Sequence, residues 1–237
     1  MRRDDGEIGA IGIGAMIVFI AMILVAGIAA SVLVTTSNTI QIQALATGQQ
    51  TTKEVASGLS VFEICGKVNG SNDLHNLSIT VKPRPGSGDI DLNNTYILIS
   101  DGTTKSLLRY DYANASDSYG QTFVAKADAD GNLFEFMNES AWANIDNETF
   151  AIAVIQDYDS SVTAFNPVIN RGDKCAIFIR CGGVPSANES WMTYGLFGRE
   201  IPERTDVFGR IIPEIGAPGV IAFTSPMSYV DTIYTLQ

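Results

Sequence analysis

Two short acidic stretches hold the side chains best suited to bind a divalent cation. In DADGNLFEFMNE, acidic and amide side chains alternate as in a calcium loop, with Glu139 at the twelfth position. The ligand candidates of this stretch are Asp128, Asp130 and Asn132. Leu133 stands where such a loop needs glycine for its sharp turn, so an ordinary acidic turn is the favoured interpretation.

In SGDIDLNN, Asp89 and Asp91 form a second candidate pair. Apart from a structural Ca²⁺ or Mg²⁺ at one of these places, no cofactor is expected.

Three cysteines leave at least one thiol without a disulfide partner. Cys175 and Cys181 share one face of the predicted strand KCAIFIRC. They would lie about 20 Å apart at ~3.3 Å per residue, which is too far for a disulfide. Cys65 with either of them is one alternative in an oxidising exterior, and buried free thiols are the other.

Catalytic side chains are scarce, and the overall charge excludes one class of ligand. His75 is the only histidine, which rules out a histidine-based triad and a zinc site with two histidines. The sequence has no GxSxG, phosphate-binding loop or HExxH pattern, and Asp157 and Asp159 are expected on a solvated edge. The net charge of −11 and the pI of about 4.4 argue against nucleic-acid binding, which needs a basic face. We therefore expect a protein that is neither an enzyme nor a nucleic-acid binder.

Asn-x-Ser/Thr triplets are frequent, and all of them lie beyond residue 60. Such triplets are acceptors for N-linked glycans when they occupy exposed loops outside the cell. Asn, Ser and Thr also favour turns, so loop composition is the alternative explanation. The seven candidates are Asn69, Asn76, Asn93, Asn114, Asn138, Asn147 and Asn188, with Asn93 expected at a strand edge.

The elements that must position these residues differ between the two ends of the chain. Beyond Val61 the apolar residues alternate with period two, as in LSITV and KCAIFIRC. Turn clusters such as SDGTTK and NRGDK separate these short runs. This pattern predicts an antiparallel, Ig-like β-sandwich.

The N-terminal end is long, apolar and free of charge. No charged residue occurs from Ile8 to Thr52, and Ala10 to Val34 are nearly all apolar. Twenty-five such residues form a helix of about 37 Å, enough to cross a bilayer. A helical stripe and the lack of proline extend the predicted helix to about Val61, on the order of 75 Å. The predicted fold class is therefore α+β, a long hydrophobic helix followed by the sandwich.

The N-terminal sequence resembles one protein family in particular. GAIGIGAMIVFIAMILVAGIAASVLV followed by ATGQQTTKEVASGLSV is similar to the start of archaeal flagellins (archaellins), which belong to the type IV pilin-like superfamily. The resemblance returns in IPERTDVFGRIIPEIGAPGVIAFTSP, Ile201 to Pro226. It implies a class III, prepilin-like signal peptide that is cut between Gly9 and Ala10, before the apolar run. The family usually has a basic residue before the glycine, whereas this chain has Glu7-Ile8, so Gly6-Glu7 is the alternative site.

The resemblance also implies a domain organisation and a function. Residues 1–9 would be the signal peptide, 10–61 the filament-core helix and 62–237 the extracellular β-rich outer domain. The protein would be a structural subunit of the archaeal flagellum (archaellum), a helical polymer that drives swimming. Its partners would be other archaellin subunits, the prepilin-like signal peptidase and the membrane machinery for assembly and rotation. It would insert transiently in the membrane before joining the extracellular filament. The alternatives are an archaeal type IV adhesion pilin and a membrane-anchored extracellular binding domain.

Overall fold

The computed structural model describes residues 4–68, 73–113, 115, 122–124, 133–137, 139–182 and 196–237. The chain divides into two compact units, Met1–Thr51 and Thr52–Gln237. The first unit is helical, and the second holds the β-strands.

Helix α1, Asp4–Ala56, is continuous over 53 residues. Its large apolar side chains between Ile11 and Val34 are all 55–72% exposed, on every side of the helix. The helix ends at Ala56, so the predicted end at Val61 and the predicted start of the β-domain at residue 62 are wrong by a few residues. Gly58 has a φ of 151° and leaves the helical path, and Leu59 is fully buried as the first residue of a strand.

The described residues of the second unit form twelve strands and two short helical elements after the end of α1. The strands are β1 Leu59–Val68, β2 Leu74–Pro83, β3 Ile90–Asp91, β4 Tyr96–Ser100, β5 Lys105–Tyr110, β6 Phe123–Val124, β7 Thr149–Gln156, β8 Val168–Ile169, β9 Lys174–Arg180, β10 Asp206–Ile212, β11 Gly219–Thr224 and β12 Ile233–Thr235. A 3-10 turn, Leu133–Glu135, and helix α2, Glu139–Ala143, lie between β6 and β7 along the chain.

Ten strands form one sheet in the order β11-β10-β4-β5-β7-β9-β2-β1-β12, with β6 attached to β7. All pairs are antiparallel except β5–β7 and β6–β7, while β3 and β8 pair separately. Gly58 bridges to Ala217, so the β11 side of the sheet returns to the start of β1. The predicted α+β class, with a mostly antiparallel domain after a long helix, is confirmed. Its layers come from one sheet that curves back on itself.

Both faces of the central strands are buried. Cys175, Ile177 and Ile179 of β9 belong to the main core, as their predicted common face requires. The alternate residues Ala176 and Phe178 belong to a second core on the opposite face. The second core is covered by residues of the 3-10 turn, α2 and their surroundings, Phe134, Met137, Ala141, Trp142 and Ile145. The Trp142 and Phe178 rings meet edge to face with centroids 5.1 Å apart.

Candidate functional site

Among the described residues, the apolar part of α1 carries fifteen exposed large apolar side chains from Ile11 to Val34. It is long and apolar enough to cross a membrane, and none of its apolar window is buried inside the molecule. An uncharged helix that is apolar on all sides needs an apolar environment, either lipid or other helices. The residues predicted to flank the cleavage, Gly9 and Ala10, lie within this helix and are exposed.

The polar second part of α1 satisfies several of its own hydroxyl groups. The Thr35 hydroxyl donates to the Ser31 carbonyl at 2.8 Å, and that of Thr39 donates to the Thr35 carbonyl at 2.9 Å. Thr51 does the same with Thr47 at 2.9 Å. Since these donors are already paired within the helix, the stretch can pack against other helices with a smaller desolvation cost than its sequence indicates.

The structure separates the described glycosylation candidates by their exposure. Asn147 is exposed in the turn before β7. Asn93 is also exposed, in the turn after β3, so its expected place at a strand edge is wrong. Asn76 lies within β2 and is only 8% exposed, and within the described part of the chain its Oδ1 has no hydrogen-bond partner. An acceptor needs an exposed side chain, so the structure does not support modification of Asn76 in the folded domain. Four candidates lie outside the described residues: Asn69, Asn114, Asn138 and Asn188.

All three cysteines are free thiols. Cys65 packs at the edge of the second core, whereas Cys175 and Cys181 lie in the main core on the other side of the sheet. A disulfide between Cys65 and a cysteine on the opposite face of the sheet is incompatible with disulfide geometry. Of the two alternatives, the structure therefore agrees with buried free thiols. Burial raises the pKa of all three thiols, that of Cys65 to about 11. They are therefore protonated at neutral pH and poor nucleophiles or metal ligands.

The two acidic stretches singled out in the sequence do not form a described metal site. Asp91 accepts hydrogen bonds from the Asn93 backbone N–H at 2.8 Å and from Asn94 Nδ2 at 3.2 Å, which fixes the turn after β3. Asp89 is exposed. The other three candidates, Asp128, Asp130 and Asn132, lie outside the described residues.

A different group of carboxylates comes together where β7 ends and β9 begins. One oxygen from each of Asp157, Asp159 and Asp173 lies within 4.8 Å of the others. Asp157 and Asp159 are expected from sequence on a solvated edge, and no sequence pattern points to Asp173. The antiparallel pairing of β7 with β9 brings the loop after one strand to the residue before the other. Recognising the group from sequence requires knowledge of that pairing.

Hydrogen bonds hold the carboxylates of this group in place. Asp157 accepts from the backbone N–H groups of Ser160 at 2.8 Å and Val162 at 3.1 Å. The Asn170 side chain donates to Asp159 at 2.6 Å, and this bond is the main reason that the pKa of Asp159 is lowered. Ser160 adopts a φ of 58° in this loop. Three negatively charged groups at this separation repel each other, and oxygen ligands in such an arrangement suit Ca²⁺.

The single histidine is paired with a carboxylate. His75 Nδ1 lies 2.9 Å from Glu200 Oε1, and both side chains are partly buried. The imidazole packs directly over Gly182, where a Cβ would overlap the ring. The pair joins β2 to the segment before β10, which is a structural role.

Comparison with known proteins gives a consistent result along the chain. A family model described as archaeal-type flagellin matches residues 9–223. The chain is 38% identical over 251 residues to Flagellin B3 of Thermococcus kodakarensis, and the match covers 97% of both proteins. It is 40% identical over 232 residues to Flagellin B2 of Methanocaldococcus jannaschii, covering 98% of this chain and 95% of that protein.

Two solved structures are similar to this fold. The crystal structure of archaeal flagellin FlaB1 from Methanocaldococcus jannaschii superposes with a TM-score of 0.59 at 30% identity, covering 77% of this chain and 98% of that chain. The archaeal flagellum of Methanospirillum hungatei superposes with a TM-score of 0.55 and covers 95% of this chain and 98% of that chain. At 16% identity, the second likeness concerns the fold alone.

Proposed function

This chain belongs to the archaeal-type flagellins, and on that basis we propose that it acts as a structural subunit of the filament that archaea use for swimming. The observation that carries the proposal is the charge-free apolar run of helix α1, whose large side chains from Ile11 to Val34 are left exposed by the folded chain. The β-domain would form the outer wall, and neighbouring copies would bury α1 in the filament core. Identical subunits in such contacts propagate as an open helix.

Burial of α1 in the filament core would offset the cost of withdrawing this helix from the bilayer. Moving a large apolar side chain from water to an apolar environment gives roughly 1.5–3 kcal/mol, so its fifteen large apolar side chains from Ile11 to Val34 offer tens of kcal/mol. The bilayer supplies this environment first, and a bundle of α1 helices replaces it in the filament. The glycines and alanines of the segment permit close helix approach in such a bundle.

Cleavage between Gly9 and Ala10 would release the subunit from the membrane for assembly. By the register of the apolar run, the mature chain would begin at Ala10. Arg2 and Arg3 would keep the leader on the cytoplasmic side before the cut. The signal peptidase and the assembly and motor machinery would be the transient partners. The chain itself would perform no catalysis.

The exposed asparagines of the β-domain would carry N-linked glycans on the filament exterior. Asn93 and Asn147 are the described candidates with the required exposure. Mass spectrometry of sheared filaments tests both modifications at once. We expect an N-terminal peptide that begins at Ala10 and glycan masses on the peptides that contain these two residues. An N-terminus at Glu7 would move the cut to the alternative site without affecting the filament role.

A charge introduced into α1 tests the assembly function directly. Leu24 is 61% exposed at the middle of the apolar run. Lysine at the centre of a membrane helix costs about 2.5–3.5 kcal/mol. In a strain that lacks other flagellins, Leu24→Lys should abolish filaments and swimming, while Leu24→Met should preserve both. Normal filaments in the Leu24→Lys strain would refute the proposal that this face is buried in the core.

A further inference from the structure

A groove on the outer face of β4 and β5 lies next to one of the glycosylation candidates. Its volume is about 580 Å³, within the range of about 300–1,000 Å³ typical of small-ligand sites. The lining residues that matter for its chemistry are Tyr96, Lys105, Leu107, Arg109, Asn147 and Glu148. An exposed Asn-x-Thr asparagine is thus part of a groove wall.

The strand register gives the groove an apolar floor between two cations. Along β5, Lys105, Leu107 and Arg109 point outward, because the intervening Leu108 is fully buried. Leu98 of β4 pairs with Leu107, so Tyr96 lies two residues further along, at the Arg109 end. Tyr96 is 49% exposed and Leu107 is 55% exposed. An exposed aromatic ring beside an aliphatic side chain suits the apolar face of a sugar ring.

The backbone holds Asn147 at the edge of this floor. The Arg109 N–H donates to the Glu148 carbonyl at 2.9 Å, and Arg109 pairs with Thr149 in the β5–β7 register. The Asp146 N–H donates to the Thr149 hydroxyl at 3.0 Å. The turn that carries Asn147 is therefore attached to β5 directly after the asparagine and is closed by its own Asp146–Thr149 hydrogen bond, and the exposed Asn147 lines the groove.

The charge of the groove differs from that of the molecule. The chain carries −11 overall, yet Lys105 and Arg109 both line this groove, and Glu148 is the one acidic residue among the described lining residues. Among the described residues, neither cation takes part in an ion pair. Two unpaired cations favour a ligand that carries negative charge.

We propose that this groove binds the first sugars of an anionic glycan attached to Asn147. The proposal rests on the N-glycosylation that forms part of the proposed function. The link joins Asn147 Nδ2 to C1 of a sugar activated as a lipid phosphate, with release of the phosphate leaving group and one amide proton. Tyr96 and Leu107 then pack against a sugar ring, while Lys105 and Arg109 bind its carboxylate or sulfate. The glycan lies along the β4–β5 face and covers it.

Acylation of lysines with an N-hydroxysuccinimide ester of acetic acid tests this arrangement. Full-length subunits from the native host, kept soluble in a mild detergent, are compared with the Asn147→Gln variant, and Lys67 on β1 is the internal control. In the glycosylated protein, Lys105 should react about threefold or more slowly, because a group covered two-thirds of the time reacts only in the remaining third. Lys67 should react equally in both proteins. Tyr96→Ala should restore most of the Lys105 rate while leaving the glycan mass on Asn147 unchanged.

The possible outcomes distinguish binding of the glycan in the groove from glycosylation of Asn147 itself. If Asn147 carries a glycan and Lys105 reacts equally with and without it, the groove proposal is wrong and glycosylation stands. If Lys105 stays fully protected in the Tyr96→Ala variant, the proposed packing of a sugar ring against Tyr96 is wrong. An unmodified Asn147 in native filaments overturns both the groove proposal and the modification at this residue, without affecting the filament role.

Discussion

Cys65 lies at the edge of the second core, and its environment controls its reactivity. Burial, together with the nearby carboxylate of Glu63, raises the pKa of its thiol to about 11. Only the thiolate reacts with alkylating agents. Between about pH 8 and pH 10 the alkylation rate of Cys65 should therefore rise about tenfold per pH unit. Peptide mass spectrometry of detergent-solubilised subunits measures it, and a rate that levels off near the usual thiol pKa would contradict this environment.

The carboxylates of Asp157, Asp159 and Asp173 predict a stabilising effect of calcium. If Ca²⁺ binds this group in the folded protein alone, a concentration of about 100 times the Kd adds about 2.7 kcal/mol to the free energy of unfolding. The effect should be present above the pKa of an unfolded aspartate, about 4. It should be lost as the pH falls further, because Asp159 then becomes protonated.

Thermal melting with calcium and with a chelator measures this effect. Asp173→Asn should remove most of the difference between the two conditions. The matched control is Asp89→Asn, which neutralises an exposed carboxylate of the candidate pair Asp89 and Asp91. Equal melting temperatures with and without calcium in the wild type would show that the group does not bind the ion. A loss of the effect in Asp89→Asn alone would move the site to the loop before β3.

The junction between α1 and β1 contains a close backbone approach at Gly58. Gly58 has a φ of 151°, and a Cβ there would lie 2.4 Å from the Ala217 carbonyl oxygen. Leu59 N–H donates to that same oxygen, and Ala217 N–H donates to the Ser57 carbonyl. The two sequence segments that resemble flagellins therefore meet at this junction.

Gly58→Ala should destabilise the β-domain by more than about 1 kcal/mol, because the added Cβ forces the two backbones apart. The comparison is Gly88→Ala, where nothing lies within 4 Å of the new Cβ and the backbone is not left-handed. Chemical denaturation of subunits in detergent should give a lower midpoint for Gly58→Ala and an unchanged one for Gly88→Ala. Equal midpoints would mean that the junction relaxes without cost.

Helices and strands that follow from a local sequence pattern could be predicted. Features that depend on contacts between residues far apart in the sequence could not. Helix α1 follows from a long charge-free run without proline, and the common face of Cys175, Ile177 and Ile179 follows from the period of one strand. The end of α1 depends on Leu59 entering a sheet beside residues far away in sequence. The group of three carboxylates likewise depends on the pairing of β7 with β9. The burial of Asn76 depends on the pairing of β2, which carries it, with β9.

At the scale of the whole molecule, the order of the strands shows the same limit. β10 inserts next to β4, more than a hundred residues earlier in the chain, while β12 closes the other edge on β1. Alternation of apolar residues predicts strands and their buried faces but contains no information on these partners. The sheet therefore had to be observed, whereas its antiparallel character and its place after a long helix could be predicted.

The net charge of each subunit predicts how filaments respond to salt. Residues 1–9 contain two arginines and three acidic residues, which is −1 of the total −11, so the chain beyond Gly9 carries −10. Since α1 is uncharged from Ile8 to Thr52, this charge lies almost entirely on the β-domains, which repel one another in a filament. The screening length falls from about 30 Å at 0.01 M salt to about 10 Å at 0.1 M. Filaments should therefore sediment less completely and melt at a lower temperature at the lower salt concentration, because burial of α1 is then opposed by stronger repulsion between the β-domains.

The double variant Asp89→Asn/Asp231→Asn, which removes two exposed charges, should show a smaller salt dependence. Filaments that melt at the same temperature across this range would show that charge repulsion between outer domains does not limit assembly.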